Sequence, residues 1–347
     1  MASRSKRTRK HHRWGLSSRN RDYSTNLRHL RLEPLEPRWL LTTFWVTNTA
    51  DSGAGSLRQA ILDANSTPGY DEIRFAIASG AQTIQPLTAL PTITDPVRLD
   101  ATTQPGYAGH PIIELDGSLA GNANGLNITA GGTTVKGLVI NRFSLNGILL
   151  SQGGGNVVQN NYIGTDLAGS VAQANKQVGV LVESASSNNL IGTDLTGTLA
   201  LGNQSAGVRI ESGAQRNRIG VVSSPVERNV ISGNFSHGVW LLGSNTRSNV
   251  VAGNLIGTDA TGSYAVGNSN GITIINSISN RIGGLGALGN TIAHHWDAGI
   301  EVTGATTREN RLLGNSIFAN GGLAIDLGGD GPTENDPLDL DDGPNRL

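Results

Sequence analysis

Two stretches decide the fold: GVRIESGAQRNRIG, Gly207 to Gly220, and GVWLLGSNTRSNVVAGNLI, Gly238 to Ile256. Each opens on a Gly followed by an apolar, a variable and an apolar residue. Each then reaches an Asn and, two residues on, an apolar side chain: Asn217/Ile219 and Asn249/Val251. The tetrad begins at Gly125, Gly147, Gly179, Gly207, Gly238, Gly271, Gly299 and Gly322, with spacings of 22, 32, 28, 31, 33, 28 and 23 residues. The Asn/apolar pair also occurs at Asn156/Val158, Asn188/Leu190, Asn280/Ile282 and Asn310/Leu312. Asn-x-Ile units extend the pattern at Asn161, Asn229, Asn254, Asn290 and Asn315. A shared period of this length is the signature of a solenoid. Its strands are short and β-branched, with Gly and Asn at the corners and no room for helical crossovers. Each coil therefore runs strand, corner, strand, corner, strand, which is a parallel β-helix. About eight coils stacked at ~4.8 Å give a rod ~38 Å long. Equivalent Asn side chains then stack and exchange amide hydrogen bonds, a structural role.

Composition agrees. Gly supplies 47 of 347 residues, about twice the usual ~7%. Aromatics are only 4% and charged residues 15%, so bulky side chains do not fill one large core. The chain has no Cys, which excludes a disulfide framework, a thiol nucleophile and a cysteine metal site. No apolar run approaches the ~18 residues of a membrane-spanning helix. The net charge of −1 hides a split. Residues 1–40 hold eleven Lys/Arg and three acids, +8; the remainder holds 15 and 24, −9.

Residues 1–43 are expected to be a disordered basic leader. It lacks the apolar core of a secretory signal. Its Lys/Arg also suit phosphate contact, but no groove-reading or aromatic motif accompanies them, so nucleic acid is not the favoured partner. Residues 44–111 are expected to form an N-terminal cap and first partial coil. Within them Ser56-Leu57-Arg58-Gln59 spells a capping box. Leu57, Ala60, Ile61 and Ala64 then form one helical stripe. Such an element covers the strand edges that a solenoid's first coil exposes. Residues 112–330 carry the repeats, and 331–347 form an acidic tail.

Two segments resemble known families. Leu35-Glu36-Pro37-Arg38-Trp39-Leu40-Leu41 resembles the Leu-Glu-Pro-Arg-x-Leu-Leu motif near the N-terminus of many planctomycete surface and exported proteins. Asp51-Ser-Gly-Ala-Gly55-Ser56-Leu57-Arg58-Gln59-Ala60-Ile61, with Ala64-Asn65 and Asp71-Glu72-Ile73-Arg74-Phe75, is similar to the Cys-Ser-Leu-Arg-Glu-Ala segment of bacterial surface proteins. Gly55 and Gln59 replace that family's Cys and Glu. Thr103-Gln104-Pro105-Gly106-Tyr107 and Ile112 to Gly117 match its first coil. The resemblance implies an all-β, right-handed parallel β-helix of the pectate-lyase-like superfold, preceded by a cap and displayed outside the cell. In that family the sequence often runs on into further surface modules.

The candidate chemistry is sparse. Ile-Gly-Thr-Asp inserts recur at Ile163 to Asn175, Ile191 to Asn203 and Ile256 to Asn268. Their Asp166, Asp194 and Asp259 suit Asx-turns better than an aligned cation site. Asp326 and Asp330, in an acidic stretch reaching Glu334 and Asp336, are the candidate Ca²⁺ ligands, although Gly328 and Pro337 stand where an EF-hand needs donors. No other cofactor is implied. The third tetrad residues should face outward: Asn127, Leu149, Leu181, Arg209, Trp240, Thr273, Glu301 and Ala324. Among them Arg209 and Trp240 stand on adjacent coils with His237 nearby, a candidate ligand site in which Trp240 stacks on a sugar and Arg209 holds a uronate. Glu183 and Glu211 occupy equivalent places on neighbouring coils, where they share a cation or face water. Asp297 and Glu301 lie ~13 Å apart along a strand, too far for a glycosidase pair. His237 and Asp297 are about 9.6 Å apart by stacking, too far for a direct hydrogen bond.

These readings describe an extracellular or cell-surface structural or adhesive β-helix without catalysis, its partner a cell-wall or extracellular polysaccharide. The alternatives are a polysaccharide lyase, hydrolase or epimerase of the same fold, and a non-catalytic carbohydrate-binding module.

Overall fold

The computed structural model describes residues 41–187, 189–191, 202–220, 228–332 and 345. Residues 1–40 of the basic leader, Asn188, Asp194 and most of the acidic tail, with Glu334 and Asp336, lie outside these residues. The chain is a parallel β-solenoid of about nine turns with little helix. Ten strands stack in a long sheet that starts with Thr43–Val46 and ends with Arg311–Leu313. Eight strands form a second sheet from Leu126–Ile128 to Ile325–Leu327. The third face comprises two four-stranded sheets, Gln82–Ile84 through Tyr162–Ile163 and Val230–Ile231 through Ser316–Phe318. The extra turn relative to the repeat count has a simple origin. Strands Asp71–Phe75 and Val97–Asp100 pair in register with the long sheet, yet they precede the first Gly tetrad.

The tetrads read directly as geometry. In Val208-Arg209-Ile210 the apolar residues are buried and Arg209 points out. Register stacks Val208 on Val239, and Val239 on Ile272, so like side chains form continuous columns inside the coil. In the long sheet Val135, Val158, Ile191, Ile219, Val251 and Ile282 make a similar column. Burying such apolar columns is the main stabilising term. The tetrad Gly is required by close approach at the corner. A Cβ on Gly238 would stand 2.6 Å from the carbonyl oxygen of Gly271, and one on Gly271 2.4 Å from that of Gly299.

Three polar ladders hold the corners. In the first, the Asn156 amide donates to Asn189 Oδ1 (2.9 Å), Asn189 to Asn217 (3.0 Å), Asn217 to Asn249 (2.9 Å) and Asn249 to Asn280 (3.0 Å). Asn310 and Asn345 continue it. The rung here is Asn189, one residue after the Asn188 expected from spacing, because register places Ile191 beside Val158. A second ladder runs through Asn229, Asn254, Asn290 and Asn315. A third, not foreseen from the sequence, runs through Asn175, Asn203, Asn234, Asn268, His295 and Asn320. Each rung satisfies buried backbone donors that a corner would otherwise orphan.

At the N-terminal end, the helix Leu57–Ser66 buries Leu57, Ala60, Ile61 and Ala64. Ser56 caps it by accepting from the Gln59 amide (3.2 Å). The reciprocal half of the box is missing, since Gln59 turns forward to Asp63 (2.8 Å). Gly55 has φ +76°, and a Cβ there would lie 2.3 Å from Thr47 Oγ1, so a Cys at this position would need different packing.

Candidate functional site

The outward positions of the second sheet form a straight row across the coils. Register pairs Asn127 with Leu149, Leu149 with Leu181, Leu181 with Arg209, and Arg209 with Trp240. Trp240 then pairs with Thr273, Thr273 with Glu301 and Glu301 with Asp326. The last position is therefore Asp326 rather than Ala324. Gly322-Leu323-Ala324-Ile325 imitates a tetrad, but Ile300 pairs with Ile325, which puts Ala324 in the glycine place. The row changes character along its length: apolar at Leu149 and Leu181, cationic and aromatic at Arg209 and Trp240, acidic at Glu301 and Asp326. Outside the coil, Val178, Leu181 and Ala206 form a small apolar cluster against which Leu149 and Trp240 pack.

Arg209, Trp240 and His237 come together. The Arg209 guanidinium carbon lies 4.4 Å from the centroid of the Trp240 ring, a stacked cation–π arrangement. The His237 ring centroid is 4.6 Å from that of Trp240, tilted 45°. Arg209 is also bound to Glu211, its neighbour two residues along the strand. This corrects the picture of a free cation awaiting a uronate: the charge is already matched, and the indole already carries the guanidinium.

A hydrogen-bonded relay, missed at the sequence level, leads away from His237. Thr273 Oγ1 lies 2.8 Å from His237 Nδ1 and donates to Glu301 Oε2 (3.3 Å). When the hydroxyl proton goes to the carboxylate, His237 donates the shorter contact from Nδ1 and keeps a lone pair on Nε2; the other tautomer reverses that contact. Asn270, beside His237 in register, donates to the same Glu301 oxygen. Burial, then the nearby Arg209 charge, lowers the His237 pKa from 6.5 to about 4, so the ring is neutral at neutral pH. Glu301 thus acts through Thr273, a connection that no spacing within one strand reveals. Asp297, considered as a partner of His237, is exposed instead.

The other candidates separate. Glu183 stands next to Glu211 along the sheet, but Glu211 is committed to Arg209. Asp326 Oδ1 accepts the Gly329 amide (3.1 Å) and Asp330 is exposed. Among the described residues no three His, Asp or Glu side chains converge as a metal site. Asp166 accepts from Ser170 and Val171, and Asp259 from Ser263 and Tyr264, at 2.8–3.1 Å. These are the turn-forming bonds of an Asx loop. For Asp259, burial raises the pKa, but the amides of Tyr264 and Ser263 and the Thr261 hydroxyl outweigh it, and the net shift is downward.

The sequence matches no protein-family model and no curated protein. Among solved structures it is similar to the periplasmic alginate epimerase AlgG, with TM-score 0.47 and 15% identity over 75% of this chain; the chain spans 58% of that protein's length. It is also similar to the Dettilon tailspike protein gp208 (TM-score 0.45, 14% identity, 83% of this chain and 60% of that one). A third is the A-module of the Azotobacter vinelandii mannuronan C-5 epimerase AlgE6 (TM-score 0.44, 14% identity, 83% and 97%). No residue role transfers from them.

Proposed function

We propose that the chain is an exported, surface-displayed β-helix module that holds a polysaccharide on the outer face of its second sheet without cleaving it. The observation that supports this reading is the cluster of Arg209, Trp240 and His237, presented outward on two adjacent coils of a rigid ladder-braced rod. An aromatic side chain flanked by planar polar groups matches the mixed apolar and hydrogen-bonding surface of a sugar. The basic leader and the Leu-Glu-Pro-Arg-Trp-Leu-Leu segment support export, and no helix of the described residues is long and apolar enough to cross a membrane. Affinity electrophoresis in gels containing soluble polysaccharides tests the binding. Retardation of the native protein that disappears in Trp240→Ala is the expected result; equal retardation of both would remove the site. Cell fractionation with N-terminal sequencing tests export, and an uncleaved cytosolic chain would contradict it.

A second reading, a carbohydrate-active lyase, hydrolase or epimerase, is favoured by one observation. With the proton on Nδ1, the Glu301–Thr273–His237 relay leaves a neutral imidazole with Nε2 as proton acceptor, the form a general base requires. Turnover of a polysaccharide that is lost in His237→Ala with binding retained would establish it. Binding without turnover would leave the first reading standing.

A further inference from the structure

The outer face carries both charge and unsatisfied polarity, and together they restrict the ligand. Along the outer face Arg209 supplies one positive charge, while Glu211 one coil from Trp240, Glu183 and Glu301 two coils away and Asp326 three coils away supply four negative ones. His237 adds none at neutral pH. The single cation is bound to Glu211. A polymer bearing a carboxylate on each sugar would meet several like charges and find no free partner. Like-charge juxtaposition of this kind is how interfaces reject wrong ligands.

The unsatisfied groups are neutral in their demand. Among the described residues, Arg209 Nε, Trp240 Nε1 and Asn270 Oδ1 are buried side-chain atoms without a hydrogen-bond partner. Two of these are donors and one is an acceptor, and they stand on three successive coils. Asn270 is only 6% exposed, with its amide nitrogen given to Glu301, so its oxygen is left over. A buried polar atom without a partner is destabilising. A ligand that both accepts and donates removes that cost, and a hydroxyl does both. Sugars of every class carry hydroxyls, so this demand selects a glycan, and the excess negative charge of the face selects against a uronate.

We infer that this face takes a neutral, hydroxyl-bearing glycan and excludes uronate polymers, with Glu211 and Glu301 as the residues that set the choice. The inference rests on the binding reading given above. In it the Arg209 guanidinium moves off Glu211 and the Trp240 ring to admit a sugar hydroxyl to Trp240 Nε1, an atom buried in the unliganded face. Neither Trp296 nor Phe235, 84% and 83% exposed at the neighbouring corner, is needed for this selection.

The test compares native protein, Trp240→Ala and Glu211→Gln in gels containing hydroxyethyl cellulose, galactomannan, polygalacturonate or alginate, at matched ionic strength. A thermal melt confirms that each variant folds. The expected result is retardation of the native protein by at least one neutral polymer and by neither uronate. Glu211→Gln frees Arg209 and gains retardation by a uronate, about tenfold in apparent affinity; Glu301→Gln gains less. Uronate retardation of the native protein that depends on Trp240 would overturn the inference while leaving the binding reading intact. Retardation by none of the four polymers would remove both.

Discussion

His237 and His295 are both held near pKa 4 mainly by burial, but their surroundings differ in kind. His295, 2% exposed, is a rung of the third ladder. Its Nδ1 accepts the Asn268 amide (3.1 Å), the place that Asn Oδ1 takes on the coils before it. Its proton therefore sits on Nε2, which faces the Ile256 carbonyl without a well-formed hydrogen bond. His237 is half-buried on the outer face and takes the opposite arrangement when Thr273 donates to Glu301: Nδ1 then gives its proton to Thr273, and Nε2 is left to accept. A depressed pKa thus marks burial in both places. What distinguishes a rung from a site is where the ring's remaining nitrogen points.

The largest effect belongs to the rungs. Asn217 Oδ1 receives the amide and side chain of Asn189, and its nitrogen donates to Ser186 and Asn249. Asn217→Ala strands those groups inside the coil and is expected to cost about 3 kcal/mol at every pH, read by urea unfolding. A cost below about 1 kcal/mol would mean that the ladder is decoration. His295 gives a pH-dependent effect. Its folded pKa, about 4, lies below the unfolded value of 6.5, so between them the unfolded chain binds a proton that the native chain does not. Its contribution is therefore complete above about pH 6.5 and is lost as pH falls toward 4, by about 3 kcal/mol over the window. His237 is shifted in the same sense over the same window, so His295→Asn, which restores the usual rung, should reduce this acid limb of the stability profile rather than remove it. An unchanged limb would refute the assignment.

Smaller effects belong to the outer face. Trp240→Ala removes a side chain packed on Leu181 and Val178 and should cost about 1 kcal/mol in thermal stability while abolishing polysaccharide retardation. Trp296→Ala, at a fully solvated position, should change stability by less than about 0.5 kcal/mol and leave retardation unchanged. If the two variants behaved alike in binding, the outer row would lose its special standing.

Much of the fold was legible because the code is local. Gly-Val-Arg-Ile and Gly-Val-Trp-Leu state which residues face in and which face out, and only close packing at the corner requires the Gly. The first two ladders were legible for the same reason, apart from the slip between Asn188 and Asn189, adjacent residues that spacing alone does not separate. The third ladder was hidden. Asn175, Asn203 and Asn268 end inserts of one length that the coils carrying Asn234 and His295 lack, and His295 interrupts the run of Asn. The final coil misled because Gly322 and Ala324 both fit a tetrad frame, and only pairing with Ile300 decides between them. At the site, Arg209, His237 and Trp240 could be grouped from their places in the tetrads. Thr273 and Glu301 could not, since their links to His237 depend on register across separate coils.

The outer-face account is tested most directly by NMR of the histidine and indole nitrogens during titration with a neutral oligosaccharide of hydroxyethyl cellulose or galactomannan type. Before addition, His237 should show the Nδ1–H tautomer and His295 the Nε2–H tautomer. On addition, the Trp240 indole and His237 ring signals should shift while those of His295 stay fixed. The same tautomer at both histidines, or a titration in which Trp240 and His237 do not move, would contradict the account.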